Sequence, residues 1–203
     1  TTVLGAEKAA GPYALLSPDE YAWEKSGNPL KPAVDPTGRF LMSGTDKDHS
    51  LMHVDLQSMG TKKVSYDGDI TYRAPILYQG GYFWVGRTLS YREVSTGEEA
   101  GRLGNPNDAD RGVAWDDGLL FVGSNGATLV DGNQSIVSST IDVEYDNYTD
   151  RIAHDPSNGR VLYANRNNWY EIDDTDGSVT TNGWPIFSPY TFEFDLDSGH
   201  VIY

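Results

Sequence analysis

The chain reads RIAHDPSNGRVLYAN from residue 151 to residue 165, and WYEIDDTDG from residue 169 to residue 177. In the first stretch, two short apolar runs flank a turn that contains Asp, Pro and Gly. The second stretch alternates apolar and polar residues and then enters another polar turn. Short alternating runs joined by tight-turn residues are typical of antiparallel β-strands. We therefore predict a strand–turn–strand–strand–turn unit here.

The same unit recurs along the whole sequence. Its most regular feature is a short apolar run that follows a glycine-containing turn, and the glycines of these turns are separated by 43, 37, 41 and 40 residues. A repeat of about 40 residues with four short strands in each unit is typical of a β-propeller blade. The glycines that mark the repeat are Gly38, Gly81, Gly118, Gly159 and Gly199.

Two other folds are compatible with a repeat of this length. A helical repeat of similar length is disfavoured because each apolar run has only three to five residues and is rich in β-branched and aromatic side chains. A β-sandwich is the remaining alternative. The predicted fold class is therefore all-β, with first strands starting near residues 33, 76, 113, 152 and 192.

The strand pattern also predicts how many blades there are. The last unit supplies only two strands, and residues 1–32 contain material for two more. We therefore predict a single domain over residues 1–203 with about five four-stranded blades, in which N- and C-terminal strands pair to close the ring. Closure would remove exposed sheet edges. The alternative is a piece of a longer propeller.

The stretch 151–177 resembles the blades of YVTN and quinoprotein-like propellers. Those blades have an apolar strand, an Asp-Pro-x-Gly turn, a second apolar strand, and a strand that ends in Asp-x-x-Thr-Gly. Residues 33–40, AVDPTGRF, repeat the first half of this pattern. The resemblance implies a propeller fold and a secreted or cell-surface setting. It carries over no catalytic residue, because the shared positions belong to turns and the core.

Composition excludes several functional classes. The 203 residues contain 30 Asp and Glu, 15 Lys and Arg and no Cys, for a net charge of -15. Disulfide frameworks and cysteine-ligated metals are excluded, and the negative field disfavours nucleic acid and anionic membranes. No apolar run approaches the roughly 20 residues that span a bilayer, so we expect no membrane insertion. Abundant Asp and scarce Lys suit either a halophilic source or an ordinary acidic extracellular protein.

A ring of cations is the first candidate binding site. Four of the five units place a cation at the entry to the first strand, where a propeller brings its blades together around the channel mouth. Such a ring could grip an anionic group. The alternative is that the adjacent Asp110 and Asp150 neutralise their neighbours in structural ion pairs. The ring comprises Lys31, Arg73, Arg111 and Arg151.

Aromatic residues in the connecting loops form a second candidate site. Aromatic platforms beside Asp, Asn and Arg suit sugar rings, which stack on them while their hydroxyls need planar donors and acceptors. The alternative is that these side chains pack between blades. The predicted ligand-binding aromatics are Tyr72, Tyr145, Tyr148, Trp184 and Tyr190.

A carboxylate triplet and two glycosylation sequons are further candidate sites. Asp142, Glu144 and Asp146 alternate, so in an extended segment they share one face and could hold calcium, although a solvated face explains them equally. Two glycosylation sequons begin at Asn133 and Asn147 and would matter only in a secreted protein.

The sequence carries no nucleophile-elbow, phosphate-loop or zinc-protease motif. We therefore expect no cofactor other than possible calcium, and a non-enzymatic binding or structural module displayed on a cell envelope or a virion. Its expected partner is a glycan or a surface or virion protein, met through the loop face, with assembly into a larger complex allowed. The alternative is a small propeller hydrolase of lactonase-like or glycosidase-like type.

Overall fold

The computed structural model is described here over residues 32–45, 50–64, 75–104, 109–146, 151–184, 193–195 and 200–202. All the secondary-structure elements in these ranges are β-strands, as the sequence predicted. The chain divides into two compact units, residues 1–102 and residues 103–203. In the described ranges, no helix is long and apolar enough to cross a membrane.

The first unit contains two four-stranded antiparallel sheets, each with its strands in sequence order. The first sheet comprises β1 (Ala33–Val34), β2 (Phe40–Thr45), β3 (Ser50–Asp55) and β4 (Gly60–Val64). The second sheet comprises β5 (Ile76–Gln79), β6 (Tyr82–Val85), β7 (Ser90–Glu93) and β8 (Glu99–Arg102).

The second unit repeats this arrangement twice. The third sheet comprises β9 (Ala109–Trp115), β10 (Gly118–Gly123), β11 (Gly126–Asp131) and β12 (Ile136–Ile141). The fourth sheet comprises β13 (Arg151–Asp155), β14 (Arg160–Ala164), β15 (Asn168–Asp173) and β16 (Val179–Gly183). A final hairpin pairs β17 (Glu193–Asp195) with β18 (His200–Ile202).

The described residues therefore form four four-stranded sheets and one two-stranded sheet. The predicted partners of that hairpin, in residues 1–31, lie outside the described residues, so ring closure and a fifth blade stay predictions. The first strands of the sheets begin at residues 33, 76, 109, 151 and 193. In the third sheet the strand starts before the predicted residue 113, because β9 continues past a register shift opposite Val122 and Gly123.

The apolar pattern explains which strands lie at the centre of each sheet. All six residues of β10 are buried, and its sequence is a nearly continuous apolar run. The outermost described strands β4 and β16 are mostly exposed and polar. One core cluster joins the two sheets of the first unit, including Met42, Leu51 and Phe83, and another joins the third and fourth sheets. A strand covered on both faces needs apolar residues at every position, whereas an outer strand does not.

The Asp-Pro turns depend on a buried carboxylate. Asp35 is 6% exposed and accepts hydrogen bonds from the amide of Thr37 at 3.0 Å and that of Phe40 at 2.6 Å. Burial acts to raise the pKa of Asp35, but these bonds and one from the Thr37 hydroxyl outweigh it, so the pKa lies below its ordinary value. The aspartate therefore replaces the strand ladder as the acceptor for the turn amides.

Asp155 occupies the equivalent position in the fourth sheet. Its side chain is fully buried, and one oxygen accepts from the Asn158 amide side chain at 2.8 Å and from the Arg160 guanidinium at 3.0 Å. Burial raises the pKa of Asp155, and the bonds to Asn158 and Arg160 lower it by more, leaving it below the ordinary value. Turn and strand are therefore held together by one charged side chain.

Glycines in the turns between third and fourth strands bring neighbouring sheets together. Gly97 has a φ of 71°, and a Cβ placed on it would lie 2.8 Å from the Cβ of His53 in the first sheet. Gly177 has a φ of 75°, and its Cβ would lie 2.8 Å from Ile141 Cδ1 in the third sheet. Both positions need the left-handed backbone and the missing side chain.

Candidate functional site

The connections of the second unit fall into two groups. Because consecutive strands are antiparallel, the four hairpin turns at residues 116–117, 132–135, 156–159 and 174–178 lie at one end of the sheets. We call this end the turn face. The opposite end carries the turns at 124–125 and 165–167, the segment 142–146 that follows β12, and Trp184 after β16. We call it the loop face.

Glu144 is the centre of a polar cluster on the loop face. Its exposed carboxylate accepts a hydrogen bond from the Asn167 side chain at 2.8 Å and another from the Asn168 side chain at 3.4 Å. Its backbone amide donates to the Tyr170 hydroxyl at 3.1 Å. A segment from the third sheet is thereby joined to the β14–β15 turn of the fourth sheet.

Asn165 fixes the shape of that turn. It is fully buried, and its side-chain oxygen accepts from the backbone amides of Asn167 and Asn168, each at 2.8 Å. Its side-chain nitrogen donates to the backbone carbonyl of Glu144, and its own carbonyl accepts from the Trp184 indole at 3.0 Å. A buried amide must satisfy its donors and acceptors, so this hub positions the exposed side chains around it.

Tyr145 and Asp110 extend the cluster toward the first strand of the third sheet. The Tyr145 hydroxyl donates to an Asp110 carboxylate oxygen at 2.8 Å. Arg111 donates to the backbone carbonyl of Asp110 at 2.8 Å. Tyr145 and Trp184 are both half-buried, and Tyr145 also packs against the core cluster of the third and fourth sheets. We call the whole group around Glu144 the loop-face cluster.

The structure brings together some of the predicted binding residues. Tyr145, Trp184 and Glu144 all belong to the loop-face cluster. Of the predicted cation ring, Arg111 and Arg151 lie on β9 and β13 at the loop-face ends of these strands. The ring itself stays a prediction. Six predicted residues lie outside the described part of the chain: Lys31, Tyr72, Arg73, Asn147, Tyr148 and Tyr190.

The predicted carboxylate triplet is spread along the segment that follows β12. Asp142 and Glu144 are exposed, whereas Asp146 is half-buried with a carboxylate oxygen 3.8 Å from Arg166 Nε. Among the described residues, no three His, Asp or Glu side chains form a group that could hold a metal ion. Asn133 of the first sequon lies in an exposed turn on the turn face.

Sequence reasoning missed the three asparagines of the β14–β15 turn. Asn165, Asn167 and Asn168 do not belong to a Gly-containing turn, so the repeat did not single them out. The signal was the run NRNN from 165 to 168, which is unusually rich in side chains that can bond their own backbone. Their contact with Glu144 crosses between sheets, and no local pattern reports it.

No protein-family model matches this sequence, and no curated protein matches it. Several solved structures, however, are similar to this chain in fold. BamB from Moraxella catarrhalis is similar with a TM-score of 0.57 and 16% identity, covering 79% of this chain and 51% of that chain. The Cps50 (Swd1) β-propeller domain of Myceliophteria thermophila has a TM-score of 0.56 and 15% identity, covering 85% of this chain and 62% of that chain.

A third neighbour is the dihydro-heme d1 dehydrogenase NirN, with a TM-score of 0.56 and 13% identity, covering 84% of this chain and 41% of that chain. At such low identity the likeness concerns the fold alone. The propeller-repeat resemblance drawn from the sequence is confirmed at that level, while the finer resemblance to YVTN propellers stays a prediction. The chain spans between about two fifths and three fifths of the length of these three neighbours.

Proposed function

We propose that this propeller-repeat protein is a non-enzymatic binding module that recognises a glycan through the loop-face cluster. The observation that supports the proposal most directly is the convergence of Asn167 and Asn168 on Glu144. Exposed amide and carboxylate groups held in fixed positions match the alternating donors and acceptors of sugar hydroxyls. Two half-buried aromatic residues, Tyr145 and Trp184, belong to the same hydrogen-bonded group, and a sugar ring could stack on the part of them that solvent reaches.

Preorganisation supports the same proposal. The buried Asn165 holds the turn through bonds to two backbone amides, so the asparagine side chains beside it are already oriented before a ligand arrives. A site that is ordered in advance loses less conformational entropy on binding. We further propose display on a cell surface or a virion, where the acidic surface keeps the protein solvated and an exposed Asn133 could accept a glycan of its own.

A glycan array followed by calorimetry on the best binder tests this proposal. We expect Asn167→Ala to weaken binding about tenfold, since it removes one hydrogen bond to the ligand and the support of Glu144, a loss of about 1.4 kcal/mol. Asn133→Ala is the matched control, because it removes an equally exposed turn asparagine from the opposite end of the same unit.

Three results would overturn the proposal. The first is a wild-type protein that binds no glycan on the array at millimolar sugar. The second is an equal loss of affinity in Asn167→Ala and in Asn133→Ala. The third is turnover of a lactone or glycoside by the wild type, which would favour the hydrolase alternative.

A further inference from the structure

A cleft lies on the turn face of the second unit, between the third and fourth sheets. Its volume is about 680 Å³, within the size range of pockets that hold small ligands or single side chains of a partner. Four carboxylates line it, and none of its lining residues within the described part of the chain is a lysine or an arginine. The four carboxylates are those of Asp116, Asp117, Asp131 and Asp174.

An aromatic wall distinguishes this cleft from an ordinary acidic surface. The indole of Trp115 stacks on the imidazole of His154, with ring centroids 4.6 Å apart and planes at 13°. His154 Nε2 lies 2.9 Å from a carboxylate oxygen of Asp174, so the stacked pair is held in place from the fourth sheet. Both rings line the cleft and remain partly exposed.

The aromatic wall is a departure from the repeat. Trp115 ends β9 opposite Gly118, and Asp155 ends β13 opposite Arg160, so the two residues occupy equivalent positions. In the first and fourth sheets that position carries the aspartate that caps the turn. In the third sheet a tryptophan stands there instead, and a two-residue turn needs no such cap. Turn formation therefore does not explain the tryptophan, which packs on one side against the core cluster of the third and fourth sheets and also lines the cleft.

The cleft also has apolar lining. Val137 on β12 and Pro156 in the turn after β13 both line it. Val137 is 42% exposed, which is high for a valine in a strand. Pro156 is exposed as well. Together they offer apolar surface to a flexible methylene chain.

We propose that this cleft binds an arginine side chain from a basic segment of a partner protein. The guanidinium carries five N–H donors in a plane, so it can reach carboxylates that stand apart and can lie against a flat aromatic wall. Its methylene stem fits the apolar surface of Val137 and Pro156. A compact cation suits the cleft less well, because no three of the described acidic or histidine side chains come together as a metal group. The cleft is at the opposite end of the sheets from the loop-face cluster, so failure of one proposal does not affect the other.

The proposal is tested by titrating the protein with a hexa-arginine peptide while the NMR signals of the His154 ring protons are recorded. His154→Gln assigns those signals among the four histidines of the chain. We expect hexa-arginine to shift the His154 signals and to bind at least fivefold more tightly than hexalysine in 0.15 M NaCl. The double variant Asp117→Asn/Asp174→Asn should lose at least tenfold in affinity.

Asp142→Asn combined with Glu98→Gln is the matched control, since it removes two exposed carboxylates elsewhere and should change affinity less than twofold. Equal losses in the two double variants would show non-specific attraction to the net charge and overturn the proposal. The proposal would also be overturned if the His154 signals of the wild-type protein did not shift at saturating hexa-arginine. Equal binding of hexalysine, or displacement of hexa-arginine by 1 mM calcium at matched ionic strength, would instead assign the cleft to a compact cation.

Discussion

At the scale of single residues, buried carboxylates organise the turns. Asp35 directly follows β1 and Asp155 ends β13, and each accepts hydrogen bonds from donors in or just after the following turn. The ionised carboxylate accepts these bonds more strongly than the protonated acid does, and both pKa values lie below the ordinary value of 3.8. The unfolded chain therefore takes up a proton at a higher pH than the folded chain does, so each residue contributes stability at neutral pH that is lost in acid.

We predict that Asp155→Asn lowers the free energy of unfolding at pH 6 by about 1–3 kcal/mol, because the Arg160 guanidinium loses its buried anionic partner. As the pH falls below the ordinary pKa of 3.8, the wild type should lose this advantage and the two stabilities should converge. Urea denaturation at pH 6 and pH 3 measures both differences. The exposed Asp142→Asn should track the wild type at both pH values, and a gap that stays constant or widens in acid would contradict the assignment.

At the scale of the elements, the turn between the third and fourth strands joins the second sheet to the first and the fourth sheet to the third. The backbone amide of Gly97 donates to the Glu93 carbonyl at 2.7 Å, closing the turn. His53, which lies against this turn, donates a hydrogen bond from Nε2 to the Val94 backbone carbonyl at 2.7 Å, because a carbonyl can only accept. Turn closure and sheet docking therefore use the same few residues.

We predict that Gly97→Ala destabilises the protein more than Gly38→Ala does. The two glycines share a φ near 70°, so both substitutions strain the backbone, but nothing lies within 4 Å of a Cβ at Gly38. We expect a loss of roughly 1 kcal/mol for Gly38→Ala and roughly 3 kcal/mol for Gly97→Ala, where the methyl group meets His53. Chemical denaturation measures the difference. Equal losses would show that backbone strain alone requires the glycine.

At the scale of the whole molecule, self-repulsion opposes folding. A net charge of -15 on 203 residues raises the free energy of the compact state, because like charges repel one another. Salt limits the range of this repulsion to about 10 Å at 0.1 M and about 3 Å at 1 M. Exposed ion pairs such as Arg39 with Asp55 weaken in salt, but such pairs contribute little. Screening of the net charge is therefore the larger effect.

We predict that the melting temperature rises by several degrees between 0.05 M and 1 M NaCl, as repulsion among the carboxylates is screened. Potassium chloride should act equally, because screening depends on ionic strength. Thermal unfolding followed by circular dichroism measures the change. A melting temperature that is flat or falls with salt would contradict the prediction. A larger rise with calcium at matched ionic strength would identify a specific cation site.

The sequence by itself determined the strands, the turns and the repeat, because these depend on local chemistry. The alternation of apolar residues, the Asp-Pro turns and the glycines with positive φ act within a few residues of one another. Only the tertiary structure decided which polar side chains meet. Glu144 and Asn167 are 23 residues apart, and Trp115 and His154 lie on first strands of different sheets. Such contacts depend on how one sheet stacks on the next, which side-chain packing sets and no local pattern encodes.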